Sequence, residues 1–124
     1  MPSRISQRAS DIRRRHYLRN ATTSDYWFDF IVSRLHWYHS RFGEDFCLII
    51  NGSYTNDDAY IIPWQAASKV FTDDALAADG RGRWIGTIKN SMLTLRPSGN
   101  YLYVAAYHNS FDLLGSLLHI GGQR

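Results

Sequence analysis

The sequence predicts an α+β domain in which a mainly antiparallel, five-stranded sheet, able to curl into a half-barrel, packs against an aromatic helix and a short C-terminal helix. Three patterns support this prediction. Residues 83–107 alternate apolar and polar side chains, as the antiparallel strands of a meander do. Residues 46–50 and 59–62 are continuous apolar runs, which are typical of strands buried on both faces. Residues 24–41 carry apolar and aromatic side chains at helical spacing, which favours a helix packed on the sheet.

Length and composition are those of one folded domain. The chain has 124 residues, of which 44% are hydrophobic and 15% aromatic, enough for a substantial core. No apolar run is long enough to cross a bilayer, so no membrane partner is expected. Cys47 is the single cysteine and lies in an apolar run, which indicates a buried thiol in a reducing, cytoplasmic compartment.

Positive charge is concentrated near the N-terminus. Residues 1–41 contain eight arginines and three aspartates, whereas the rest of the chain is slightly acidic. Arginine makes planar, bidentate contacts with phosphate, so an anionic partner is favoured. We interpret residues 1–20 as a basic arm or frayed helix, and residues 21–124 as a single α+β domain. The arm is a solvated tail, a dimer contact or a grip on a nucleic-acid backbone. Its candidate phosphate contacts are Arg13, Arg14 and Arg15.

The helix predicted over residues 24–41 follows hydroxyl side chains that can cap its first turn. Phe28, Ile31 and Leu35 form its deepest apolar stripe. Gly43 suits its end, because glycine readily adopts the left-handed backbone of a helix terminus.

The two buried strands are followed by turns and short helices. Asn51-Gly52 is a turn signal, and Pro63 ends the second strand because proline cannot donate to a strand ladder. Short helical stretches are predicted over residues 64–71 and 72–78. A last helix begins at residue 109 or 110 and ends before Gly121.

Catalytic motifs are absent from the sequence. It has no glycine-rich phosphate loop, nucleophile elbow, HExxH or CxxC, so no catalytic residue and no cofactor is predicted. A metal-dependent nuclease is the enzymatic alternative, because Asp57 and Asp58 precede a buried strand and Lys69 follows it. No carboxylate stands two residues before a lysine on the next strand, and a solvated turn explains the aspartates more simply. His36 and His39 lack a third ligand nearby, so no metal site is predicted.

Nucleic-acid binding is the leading hypothesis, because one face of the predicted meander collects cations, hydroxyls and aromatic rings. The candidate contacts are Arg81, Arg83, Lys89, Arg96, Tyr101 and Tyr103, with Thr87, Thr94 and Tyr107 beside them. Trp64 and Trp84 are candidates for an aromatic pocket that holds a flipped base. Each of these predictions has a structural alternative. The helix over residues 24–41 can cover the tyrosine face, and the two tryptophans can be ordinary core residues.

Residues 60–64 (YIIPW), 82–88 (GRWIGTI), 101–104 (YLYV) and 107–109 (YHN) resemble the small DNA-reading barrels attached to restriction enzymes, the plant-B3-like and PUA-like effector domains. The resemblance covers roughly residues 46–109. It implies that loops and a concave sheet grip DNA, and that any cutting belongs to a separate catalytic chain.

The sequence therefore predicts a non-catalytic domain that binds nucleic acid, in particular double-stranded DNA. A protein-interaction, inhibitor or assembly subunit is the alternative, in which the aromatic surface buries a partner chain. The metal-dependent nuclease using Asp57 and Asp58 is the third reading.

Overall fold

The computed structural model describes residues 1–22 and 25–117 and has an α+β fold with two sheets, where the sequence predicted one five-stranded sheet. The strands are β1 (Tyr17–Asn20), β2 (Phe28–Ile31), β3 (Cys47–Asn51), β4 (Ala59–Pro63), β5 (Arg83–Lys89), β6 (Met92–Arg96) and β7 (Tyr101–Tyr103). The α-helices are α1 (Arg4–Gln7), α2 (Ala9–Arg13), α3 (Val32–Phe42) and α4 (Trp64–Ala67). Three 3₁₀ segments lie at Asp73–Ala75, Ala105–Tyr107 and Phe111–Leu117. Within the described ranges the strands form no closed barrel.

The three-stranded sheet has the order β1-β3-β4, with β3 parallel to β1 and antiparallel to β4. Every residue of β3 is buried, which confirms the buried strand predicted from its apolar run. Leu48 and Ile50 join the core between the two sheets, whereas Cys47 and Ile49 join a second cluster on the opposite face. The central strand is therefore covered on both faces.

The four-stranded sheet has the order β2-β5-β6-β7 and is antiparallel throughout, which confirms the predicted meander of β5, β6 and β7. Phe30 and Trp84 of this sheet lie in the core between the sheets, where Phe30 meets Tyr17 of β1 edge-to-face at 4.9 Å between ring centroids. Gly86 permits the close approach of the strands, because a Cβ there would lie 2.6 Å from the Thr94 carbonyl oxygen and 2.7 Å from the Phe28 ring.

Residues 1–20, predicted as a basic arm or frayed helix, are part of the folded domain. They form α1, α2 and β1, and their apolar side chains Ile5, Ile12 and Leu18 are buried in the cluster on the far face of the three-stranded sheet. Three apolar residues are too few to predict a helical face, but each one meets this sheet. The parallel ladder with β3 pairs backbone groups along one side of β1, from Tyr17 to Asn20.

The predicted helix over residues 24–41 is wrong in its first part. Residues Phe28–Ile31 form strand β2, and the helix begins at Val32. Phe28 and Phe30 alternate with Asp29, so this short run fits a period of two as well as a helical stripe. Pairing with β5 decides between them, because it buries both phenylalanine rings. The predicted end at Gly43 is confirmed, since its N–H donates to the His39 carbonyl.

The remaining predicted elements are shorter than expected. The helical stretch after Pro63 covers Trp64–Ala67, and the next one is the single 3₁₀ turn Asp73–Ala75. The last helix is replaced by 3₁₀ turns over Phe111–Leu117, which are interrupted at Gly115 (φ 59°), and its predicted continuation towards Gly121 lies outside the described residues. In the part of the chain that the structure describes, no helix has the length and hydropathy needed to cross a membrane.

Candidate nucleic-acid interface

The outer face of the four-stranded sheet carries the side chains that alternate with its buried core residues. We define the outer face as Ile85, Thr87, Lys89, Met92, Thr94, Arg96, Tyr101 and Tyr103. Leu93 and Leu95 point the other way and are fully buried, as the alternation predicts. Lys89, Arg96, Tyr101 and Tyr103 are exposed, and the other four are half-buried.

Register places these residues in rows across the strands. Tyr101 is opposite Thr94, which is opposite Thr87. Tyr103 is opposite Met92, which is opposite Lys89. Cross-strand neighbours on one face lie about 4.5–5.5 Å apart at Cβ, so each row brings a tyrosine, a central side chain and a hydroxyl or ammonium group together.

Tyr101 and Tyr103 are 57% and 64% exposed, and their rings meet edge-to-face at 5.9 Å. Helix α3 does not cover them. Its Tyr38 stacks instead on Tyr17 at 5.4 Å and on Phe46 at 6.0 Å, on the side of the three-stranded sheet. The alternative in which the aromatic helix buries these tyrosines is therefore wrong. Tyr107 leaves the face, because it lies in a 3₁₀ turn and packs partly buried against the core.

Arg83 is engaged by the protein itself. Its Nη1 lies 2.8 Å from a carboxylate oxygen of Asp29, and its Nη2 lies 2.9 Å from Asp79. Arg19 contacts Asp29 as well: its Nη2 forms an ion pair with the Asp29 carboxylate, and its Nε donates to the Asp29 backbone carbonyl at 2.9 Å. Burial alone would raise the pKa of Asp29, but hydrogen bonds from Arg19 and Arg83 outweigh it and lower the pKa. Since Arg19 belongs to β1, these ion pairs join the edges of the two sheets.

Trp64 and Trp84 are 7% and 1% exposed, so neither offers a ring to a flipped base. Trp84 points inward from β5, where its Nε1 donates to the Thr72 carbonyl at 2.8 Å. Trp64 stacks on Phe46 at 5.6 Å between ring centroids. The structure contradicts the predicted base pocket and supports the alternative that both rings are core residues.

Arg13, Arg14 and Arg15 do not join the outer face. Arg13 is the last residue of α2, which packs on the far side of the three-stranded sheet, and Arg14 and Arg15 follow it. Arg14 and Arg15 line a cavity of about 630 Å³, where Arg14 lies 3.8 Å from Asp11 and Arg15 lies 2.5 Å from Asp45. The predicted contacts therefore fall into two groups on different layers of the fold. Arg81 is exposed in the loop before β5.

Asp57 and Asp58 are bound by side chains of this chain. Arg4 donates to Asp57 through both its backbone N–H and its Nε, at 2.9 and 3.0 Å. Tyr26 donates its hydroxyl to Asp58 at 2.8 Å, and Nε2 of His108 lies 2.8 Å from the same carboxylate oxygen. Residues 1–22 and 25–117 contain no group of three or more His, Cys, Asp or Glu side chains that could hold a metal ion. The two aspartates therefore connect the loop before β4 to Arg4 near the start of the chain and to His108 after β7.

Two features of the structure were not anticipated from the sequence. His16 is buried, and its Nδ1 accepts a hydrogen bond from the Cys47 N–H at 2.9 Å. Burial lowers its pKa to about 4, so the ring is neutral near pH 7. Arg34 and Trp37 of α3 line a groove with Arg13. Arg34 and Trp37 are three residues apart, so the sequence alone could have placed them side by side on the helix. The stripe predicted for that helix contained only apolar residues.

Comparison of the chain with known protein families, with curated proteins and with solved structures gives no match.

Proposed function

We propose that this protein binds nucleic acid through the outer face of its four-stranded sheet. The observation that carries the proposal is the pair of exposed rings, Tyr101 and Tyr103, on the same face as the exposed cations Lys89 and Arg96. No element in the described part of the chain lies over these rings. A soluble fold buries most of its aromatic surface, so an exposed aromatic pair beside cations is typical of a binding surface.

The chemistry of the outer face suits a strand with accessible bases. Aromatic rings stack on bases whatever their sequence, and each stacked base contributes about 1–3 kcal/mol. Lys89 and Arg96 can neutralise phosphates, and the hydroxyls of Thr87 and Thr94 can position them. Bases in a duplex already stack on one another, so this face favours single-stranded or locally opened DNA over the duplex that the sequence suggested.

Fluorescence anisotropy with labelled oligonucleotides at low salt tests the proposal. We expect a mixed-sequence single strand to bind more tightly than the matching duplex. Exchanging both Tyr101 and Tyr103 for Ser should weaken binding by about 1–3 kcal/mol per stacked base. Tyr54→Ser is the matched control, because Tyr54 is 62% exposed but lies in the loop between β3 and β4.

Two results would contradict the proposal: no binding of either nucleic acid at low salt, or an equal loss with the Tyr54 control. If the duplex binds more tightly, the outer face would still be the binding site, but its ligand would be double-stranded DNA.

A protein partner is the second candidate, because Ile85 and Met92 add apolar surface beside the exposed tyrosines and β7 is an edge strand. Tyrosine and methionine are enriched at protein interfaces, and an edge strand can pair with another chain. In that case gel filtration would show an oligomer that Tyr103→Lys dissociates, and the anisotropy experiment would remain negative.

A further inference from the structure

A groove lies between β1, α3 and the end of α2, away from the outer face. It has a volume of about 290 Å³. We call it the arginine groove and define it by the polar and aromatic side chains that line it. These are Arg13, Tyr17, Arg19, Arg34, Trp37 and Tyr38.

Two of its arginines have no counter-ion among the residues that the structure describes. The side chains of Arg13 and Arg34 are exposed, and neither makes an ion pair or a hydrogen bond there. The larger cavity beside α2 differs in this respect, since its Arg8 and Arg15 already lie 3.0 Å from Asp11 and 2.5 Å from Asp45. The arginines of the larger cavity therefore have carboxylates beside them, whereas Arg13 and Arg34 of the smaller groove have none among the described residues.

Tyr17 and Tyr38 are the buried tyrosines among the residues that line the groove. Tyr17 is 4% exposed, and its oxygen accepts a hydrogen bond from the Ile31 N–H at 2.8 Å. Within residues 1–22 and 25–117 this hydroxyl donates to no acceptor, so its proton is free for a ligand. The neighbouring Tyr38 hydroxyl is already used, because it donates to the Arg13 carbonyl at 2.6 Å.

The charges of the groove act on both hydroxyls. Burial raises the pKa of Tyr17 and of Tyr38, and the positive charge of Arg34 opposes the rise at each of them. Arg34 and both tyrosines line the same groove.

An aromatic shelf completes the groove. Trp37 is 44% exposed, more than the other three tryptophans of the chain, and it packs edge-to-face on Tyr38 at 4.9 Å. The Arg41 guanidinium lies over the Trp37 ring, 4.9 Å from its centroid. Such a ring can stack on a base or pack against a sugar.

We propose that the arginine groove binds the phosphate group of a nucleotide, with Arg13 and Arg34 on the phosphate oxygens, the Tyr17 hydroxyl donating to one of them, and the nucleoside against Trp37. A guanidinium pair with a hydroxyl donor matches the acceptor oxygens of a phosphate monoester. A volume near the lower limit of small-molecule pockets restricts the ligand to about one nucleotide. The same chemistry fits a free nucleotide or the phosphorylated end of a strand.

Tryptophan fluorescence and calorimetry with deoxyadenosine 5′-monophosphate, deoxyadenosine and inorganic phosphate test this inference. The monophosphate should quench the fluorescence saturably, inorganic phosphate should compete with it, and the nucleoside alone should bind much more weakly. Trp37→Phe should remove the quenching while calorimetry still detects binding.

Charge variants distinguish specific binding in the arginine groove from nonspecific attraction of an anion to a basic protein. Arg13→Gln with Arg34→Gln should weaken monophosphate binding at least about tenfold, the scale of removing one charge-assisted hydrogen bond. The matched control is Arg14→Gln with Lys69→Gln, which removes the same charge from exposed residues outside the groove. Equal losses of affinity in the two double variants would overturn the inference, and so would the absence of saturable binding by the monophosphate.

The two possible sources of the phosphate are distinguished with oligonucleotides. If a 5′-phosphate raises the affinity of an oligonucleotide for the parent protein but not for the Arg13 and Arg34 variant, the ligand is a strand end. If it has no effect while the monophosphate binds, the ligand is a free nucleotide. The inference does not depend on the outer face, because exchange of Tyr101 and Tyr103 should leave monophosphate binding unchanged.

Discussion

The two sheets of this protein differ in how many of their faces are covered. In the three-stranded sheet, α1, α2 and the last 3₁₀ segment cover one face and the inter-sheet core covers the other. Among residues 1–22 and 25–117, elements cover only the inward face of the four-stranded sheet, and along β5 buried residues alternate with half-buried or exposed ones. Both faces of the first sheet contribute buried side chains to a core. The outer face of the second sheet instead presents half-buried and exposed side chains.

The same substitution should have very different effects on stability in the two sheets. Ile49→Ala on β3 removes a fully buried side chain from the covered outer cluster and should cost about 2–5 kcal/mol of unfolding free energy. Ile85→Ala on the outer face removes a half-buried side chain and should cost less than about 1 kcal/mol. Urea unfolding monitored by circular dichroism measures both. Similar costs would mean that the outer face is also covered.

The second prediction concerns pH and the three-stranded sheet. The pKa of His16 is about 4 in the folded protein, against a reference of 6.5, because burial disfavours the charged ring. As the pH falls, the unfolded chain therefore binds a proton at His16 before the folded protein does. The folded state is fully stable with respect to this residue only above about pH 6.5. Stability should fall by about 3 kcal/mol between pH 6.5 and pH 4 and change little from this residue below that.

Urea unfolding at several pH values measures this slope. His36→Gln, at an exposed position on α3, should leave the slope unchanged, whereas His16→Gln should flatten it. An unchanged slope in His16→Gln would assign the pH dependence to other groups.

The third prediction concerns the ion pairs that join the sheets. Asp29→Asn weakens the contacts with Arg19 and Arg83 and should cost about 2 kcal/mol at neutral pH, since it leaves partly buried guanidinium groups less well paired. The pKa of Asp29 lies below its reference of 3.8, so its stabilisation is complete above about pH 4 and is lost as the pH falls below that value. The variant should therefore lose less stability than the parent on further acidification. Asp73→Asn, at an exposed position, is the control.

The smallest expected effect on stability is on the outer face itself. Exchanging Lys89 and Arg96 for Gln should change the unfolding free energy by less than about 0.5 kcal/mol, because both are exposed and make no ion pair among the described residues. The same variant should reduce the slope of log affinity against log salt for single-stranded DNA by up to about 1.4, or about 0.7 for each phosphate that is no longer neutralised. Anisotropy titrations at several salt concentrations measure the slope, and an unchanged slope would remove the two cations from the interface.

Local patterns in the sequence predicted much of this fold. The alternation in β5 and β6 and the apolar runs of β3 and β4 are signals that a few neighbouring residues carry by themselves. Strands β1 and β2 were missed for different reasons. β1 lies among arginines and is held by its parallel pairing with β3, about thirty residues away in the chain. β2 carries its aromatic residues at positions that also fit a helix.

The residues of the candidate site were also predicted only in part. The alternation correctly placed Lys89, Arg96, Tyr101 and Tyr103 on one face. The separate prediction that Trp84 lines a base pocket is wrong, and Arg83 is held in ion pairs with Asp29 and Asp79. Arg83 has the right position for a ligand contact, yet its partner Asp29 lies 54 residues away in sequence. Trp84 stands next to it and points into the core.

The sequence by itself determined where the strands of the meander run and which side chains share each of their faces, because strand geometry places successive side chains on opposite sides. Only the tertiary structure decided which face is open, which arginines already have carboxylate partners, and that the N-terminal segment belongs to the core. Those outcomes depend on contacts between residues far apart in the chain, and the pattern of a single strand contains no information about what packs against it.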